Sequence, residues 1–161
     1  MTLLYRRFAT IFGLLVLCFA WASPSLTLAG SDLTLAPDLS FTDDSSFNFP
    51  IAGKNLTEGK PAAGRVTMLF FGTAHCWNTN REAERLVKVY PEYRGKVDFV
   101  VVDLNNVSNE QRELVAKYYK GAIPTIAVLD SRGEVIYDRA GETASQRGDT
   151  SKLQSLIDSA R

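Results

Sequence analysis

With 161 residues, 45% of them hydrophobic and 22% charged, the chain has the make-up of one globular domain and excludes an extended disordered polymer. Its 18 basic and 18 acidic residues cancel, and no basic cluster stands out, so a charge-built nucleic-acid surface is excluded. One histidine and one cysteine, Cys76, outside the N-terminal apolar stretch that holds Cys18 fall short of the three protein ligands that even a catalytic zinc uses, so no metal is expected, and no cofactor either.

The first 22 residues read as a signal peptide. Arg6 and Arg7 form a positive start, residues 8–19 are predominantly apolar, and Ala20-Trp21-Ala22 is a small-x-small cleavage site, with an alternative after Ala29. The apolar run is short of the ~20 residues of a membrane helix, which favours cleavage over an N-terminal membrane anchor. The expected location is outside the cytoplasm: periplasm, lumen or extracellular space, soluble after cleavage. Loss of Arg6 and Arg7 leaves 16 basic against 18 acidic residues, and Cys18 departs with the leader. The mature chain then carries one cysteine, Cys76, which cannot form an internal disulfide.

Residues 23–35 mix Ser, Thr, Pro and Gly and read as a linker, so the domain is expected over 36–161. Residues 48–63 hold turn formers and lysines and read as a hairpin and loop. Val66 to Phe71 is an uninterrupted run of branched, aromatic and aliphatic residues, as in a strand buried on both faces. Gly72 and Thr73 break it. From Asn80 to Tyr93 the apolar residues Ala83, Leu86, Val87 and Tyr90 follow helical spacing, with Arg81, Glu82, Glu84, Arg85 and Lys88 on the opposite face, and Pro91 kinks or ends the helix. Cys76 thus falls where a buried strand hands over to a helix, whose free N–H groups and dipole favour a thiolate.

Val97 to Leu104 is the next strand. Ser108 and Gln111 form a capping box for a helix through Leu114, Val115, Tyr118 and Tyr119 that stops at Gly121. Pro124 to Leu129, a turn over 130–133, and Glu134 to Arg139 make a hairpin. Asp149 or Thr150 caps a last helix carrying Leu153, Leu156 and Ile157. The order β-α-β-α-β-β-α predicts an α/β fold, a mixed central sheet with a parallel core and helices on both faces.

The run from Arg65 through Cys76 to Glu84, together with Ile123-Pro124-Thr125, resembles the thioredoxin superfamily. There a strand leads into Trp-Cys-x-x-Cys, and an Ile-Pro-Thr segment with a cis proline packs against the reactive sulfur. The residues from Ala36-Pro37-Asp38 to Asp43 resemble the opening of the peroxiredoxin and membrane-tethered thioredoxin branch, whereas the short spacing from Cys76 to Pro124 is that of compact thioredoxins. The resemblance implies a thioredoxin fold, Cys76 as nucleophile, a cis Ile123-Pro124 bond, and a partner surface of Trp77, Ile123, Pro124 and Thr125. It also exposes departures. Thr79 stands where the second cysteine is expected, His75 replaces the tryptophan, and the family's buried acid falls on Phe70.

Thiol–disulfide exchange begins with attack by a thiolate and yields a mixed disulfide, which a second cysteine normally resolves. A hydroxyl does not take part in sulfur exchange, so the two-cysteine reductase cycle is excluded. Thr79 either donates a hydrogen bond to the sulfur or fills the space of the lost cysteine. His75 either modulates the thiol as acid or base or is a surface ring that meets partners, the latter favoured. Trp77 is expected to be exposed on the first turn. Three roles follow, in order: a monothiol redox protein acting on a cysteine-containing protein or small thiol, at most a monothiol oxidoreductase if an enzyme at all; a non-catalytic binding module; and a cysteine peroxidase, since Cys-x-x-Thr also resembles glutathione peroxidases. Arg147-Gly148-Asp149 reads as a loop into a helix cap, and Asn55 and Asn106 head glycosylation sequons.

Overall fold

The computed structural model describes residues 33–52, 61–141 and 148–161. The expected signal peptide with both its expected cleavage sites, most of the expected linker, Asn55 and Arg147 lie outside these residues. The elements in chain order are β1 (Thr34–Leu35), β2 (Ile51–Ala52), β3 (Thr67–Gly72), α1 (Trp77–Tyr93), β4 (Asp98–Asp103), α2 (Arg112–Tyr118), β5 (Thr125–Leu129), β6 (Val135–Ala140) and α3 (Ser151–Ala160). After the short β1–β2 pair, this is the β-α-β-α-β-β-α order expected from the sequence.

Four strands form the main sheet in the order β4-β3-β5-β6. β3 runs parallel to β4, while β5 is antiparallel to both β3 and β6. All six residues of β3 are buried, as the unbroken apolar run requires. Its side chains alternate between two cores with the period of a strand. Met68 and Phe70 join Phe99, Val101, Ile126 and Val128 on the face covered by Leu86 and Val89 of α1 and by Leu153 and Ile157 of α3. Leu69 and Phe71 join Val100, Val102, Ala127 and Leu129 on the opposite face, under Leu114 and Tyr118 of α2. The result is a mixed sheet with helices on both faces, the thioredoxin-like architecture.

Several boundaries differ from the sequence reading. The linker stops short of residue 35: Leu33 is buried in the core, and Thr34–Leu35 pairs antiparallel with Ile51–Ala52. Of the hairpin and loop expected over 48–63, residues 53–60 lie outside the described residues, and Ile51–Ala52 pairs upstream with β1. Helix α1 begins at Trp77 rather than Asn80, since the Asn80 N–H already bonds the Cys76 carbonyl at 3.0 Å. Pro91 does not end it, and the last turn closes through the Arg94 N–H to the Tyr90 carbonyl. The capping box is half formed. Gln111 N–H reaches Ser108 Oγ, but the Gln111 amide donates instead to the Val101 carbonyl, tying the loop to β4, and α2 starts at Arg112. At α3, Asp149 accepts the Ser151 N–H, while the Thr150 hydroxyl turns to Gln154 Oε1.

The polar face assigned to α1 is also partly buried. Glu82 Oε2 accepts Arg85 Nη1 and Arg139 Nη2, each at 2.6 Å, with Glu82 and Arg85 under a tenth exposed. Buried charge is tolerated here because it is paired across α1 and β6.

Tyr93 ends α1 and pins α3. It is 1% exposed, and its hydroxyl donates to Asp158 Oδ1 at 3.0 Å and lies 3.3 Å from the Gln154 carbonyl. Burial, then the bond to Asp158, pushes its pKa up to about 12 from 10.0. Because the folded-state value is raised, this contribution is intact below about pH 10 and lost as pH rises through about 12. Chemical denaturation at increasing pH should show that loss, and Tyr93→Phe should remove the part of the alkaline slope that belongs to this residue.

Candidate functional site

The C-terminal end of β3 delivers the chain to the site. Gly72 closes the strand, and a Cβ there would lie 2.5 Å from Thr79 Cγ2 and 3.0 Å from Phe70 Cε1. Only a residue without a side chain lets α1 approach so closely. The turn that follows places His75 at φ 56°, in the left-handed region, and Cys76 at φ −140°, ψ 106° as the N-cap of α1. Cys76 is half-buried and free. A non-glycine left-handed residue next to Cys76 marks a backbone that the surrounding structure dictates.

The β3–β5 register sets Phe71 opposite Thr125, so Ile123-Pro124 lies at the sheet end where Gly72 leads to Cys76. The Ile123–Pro124 peptide bond is cis. Pro124 and Thr125 are both buried. The Pro124 carbonyl accepts Gly141 N–H at 2.7 Å, and the Thr125 hydroxyl donates to the Ala122 carbonyl at 2.6 Å. Neither side chain can therefore form the partner surface expected of it. What faces outward around the sulfur is His75, with Trp77 and Ile123 half-buried. Trp77 is less exposed than expected because the Arg81 guanidinium covers its ring, 4.8 Å from the centroid.

Thr79 is fully buried, and its hydroxyl has no hydrogen-bond partner. It makes no bond to the Cys76 sulfur. His75 packs its ring edge-on against Phe47, centroids 5.5 Å apart, away from any hydrogen bond with the thiol. Phe70, at the position of the family's acid, is a core residue with no exposure.

Sequence reasoning missed the loop that lies over the helix mouth. Asn80, fully buried, donates through Nδ2 to the Ser40 carbonyl at 2.6 Å and to Ser46 Oγ at 2.9 Å. Ser46 Oγ also accepts Ser40 N–H at 2.7 Å, which closes the loop on itself. Bonds from Ser45, then Ser40, hold the Asp43 carboxyl below its usual range. Its neighbour Asp44 reaches 33 positions along the chain, and its Oδ1 accepts the Trp77 N–H at 3.0 Å. One of the helix donors expected to be free for a thiolate is therefore taken by a carboxylate. The signal available was the Asp43-Asp44-Ser45-Ser46 cluster, a good acceptor source for a helix N-terminus, but nothing local says which helix.

Among the described residues no cluster of His, Cys, Asp and Glu could hold a metal ion, and no helix is long and apolar enough to cross a membrane.

The strand order, the helices on both faces, and a cis proline at the same sheet end as a helix-capping cysteine define a thioredoxin-like fold. No protein-family model matches the chain, and no curated protein matches it. Solved structures similar to it include thioredoxin-2 of the malaria parasite, described as a component of its protein secretion machinery, at 19% identity over 63% of this chain and 89% of that one, TM-score 0.48. StoA from Bacillus subtilis matches at 21% identity over 60% and 84%, TM-score 0.47. Thioredoxin of Fasciola hepatica matches at 22% over 62% and 84%, TM-score 0.47. Likeness of this degree concerns the fold and carries nothing about activity.

Two outcomes test the packing at this site. Thr79→Val removes an unpartnered buried hydroxyl while keeping the shape, and should raise stability by about 1 kcal/mol in urea unfolding. Gly72→Ala should cost about 1–3 kcal/mol in the same measurement through overpacking against Thr79 and Phe70. Adding Thr79→Ser, which deletes the crowded methyl, should recover part of that loss.

Proposed function

We propose that the chain is an exported thioredoxin-fold protein that works through one thiol, forming mixed disulfides at Cys76 with a cysteine-containing protein or a small thiol. The observation that carries this reading is a half-exposed Cys76 at the N-cap of α1, with a buried threonine where a resolving cysteine is needed. The Cys76 thiolate attacks one sulfur of a partner disulfide, the partner S–S bond breaks, a new S–S bond forms to Cys76, and the partner's other sulfur leaves as a thiolate. Release needs an external thiolate, which attacks the partner sulfur and expels Cys76. Export is supported by the residue pattern over 1–22, with the domain following a linker.

A second reading, a non-catalytic binding module, draws support from Phe47, which is 82% exposed beside the ring of His75. A large aromatic held in water next to the site suits a contact with a partner.

Incubation of the purified chain with oxidised glutathione, followed by mass spectrometry, tests the first reading. One glutathione adduct on Cys76 is expected, none on Cys76→Ser, and no catalytic reduction of insulin disulfides by the wild type. Thr79→Cys should add an internal disulfide between Cys76 and the new thiol, and with it insulin reduction. Absence of any adduct on Cys76 would leave the binding module as the better account.

A further inference from the structure

We infer that Asp44 is a positioning residue that restrains the reactivity of Cys76, an inference that rests on the single-thiol reading and assigns its regulation. The first amide of α1 belongs to the residue directly after the cysteine, and Asp44 Oδ1 accepts it at 3.0 Å. This contact is not a chance approach of a surface side chain. Asn80, buried in the same first turn, fixes Ser40 and Ser46 on either side of Asp44. The loop is thus latched to the helix whose mouth its carboxylate caps.

A helix N-terminus offers roughly half a positive charge and a few N–H donors to whatever anion lies closest. In this chain the carboxylate holds the Trp77 donor, and its negative charge opposes a second anion at the adjoining N-cap residue. Whatever disfavours the Cys76 thiolate slows its attack and also makes it a poorer leaving group. A mixed disulfide at Cys76 is then both slow to form and slow to be released by an external thiol. The site is built to hold an adduct rather than to turn over rapidly.

Alkylation of Cys76 by iodoacetamide at neutral pH, together with melting temperatures, separates charge from capping. Asp44→Asn keeps an acceptor for the Trp77 N–H but removes the charge, and should alkylate about two- to fivefold faster than wild type at low ionic strength. The ratio should shrink towards one near 1 M salt, where the screening length falls to about 3 Å. Asp44→Glu should stay close to wild type in rate, and Asp44→Ala should both alkylate faster and melt lower. Release of glutathione from the Cys76 adduct by free glutathione should be faster in Asp44→Asn than in wild type. Equal rates for wild type and Asp44→Asn, a slower variant, or a ratio indifferent to salt would overturn the inference. The expected rate ratio without any glutathione adduct would sink the single-thiol reading while leaving the effect of Asp44 on the sulfur in place. No alkylation in any variant would end both.

Discussion

Burial of β3 on both faces is the constraint from which the rest of the structure follows. Six consecutive buried residues leave the strand no freedom of register, because a slip by one residue would swap Phe70 and Phe71 between two different cores. The end of the strand is therefore fixed at Gly72, and the chain must turn there into α1. Close packing of α1 on that end needs both the missing side chain of Gly72 and the small Thr79 in the first turn of the helix. The position of Cys76 at the N-cap is a consequence of this packing, not of any interaction made by the sulfur itself.

Around that sulfur the structure is under-satisfied in an informative way. Thr79 Oγ1 and Asn80 Oδ1 are buried with no hydrogen-bond partner, while the Asn80 amide is fully used in latching the 40–46 loop. Orphaned polar atoms are uncommon in native interiors, and these two adjoin each other in the first turn of α1, while Thr67 Oγ1, Asp98 Oδ2 and Asp138 Oδ1 share the condition on the strands. The left-handed His75 immediately before the turn is of the same kind.

The fold is legible in the sequence because it rests on patterns that are local or nearly so. The unbroken run at 66–71 and the nearly all apolar one at 97–104 suit strands buried on both sides, and the apolar spacing after Asn80 suits a helix. Cys76 and the Ile123-Pro124-Thr125 segment are likewise findable, since the strand–turn–helix sequence points at them. The side-chain roles are not. The spacing of Thr79 from Cys76 allows its hydroxyl to serve the sulfur, but which way a buried threonine turns depends on Gly72 and Phe70. Glu82 and Arg85 read as a solvent face because the second cation on Glu82, Arg139, lies on a strand more than fifty positions away. Thr34 and Leu35 read as linker because a two-residue strand carries no period. Asp44 is invisible for a related reason: a capping carboxylate 33 residues upstream leaves no trace in the helix it caps.

Geometry and chemistry part company at this site. The frame keeps what a thiol-exchange site needs in space: a cysteine at a helix N-cap, a cis proline at the same sheet end, partial access to solvent. Four residues within that frame all act in one direction. Thr79 removes the sulfur that would resolve an adduct, Phe70 fills the place of the acid with hydrocarbon, His75 turns its ring to Phe47 rather than to the thiol, and Asp44 occupies the nearest helix donor with a carboxylate. Any one of them is compatible with drift, because a fold by itself specifies no reaction. Together they describe a thiol that can be reached but has been deprived of each aid to turnover. On the single-thiol reading proposed above, that combination favours holding an adduct over releasing it.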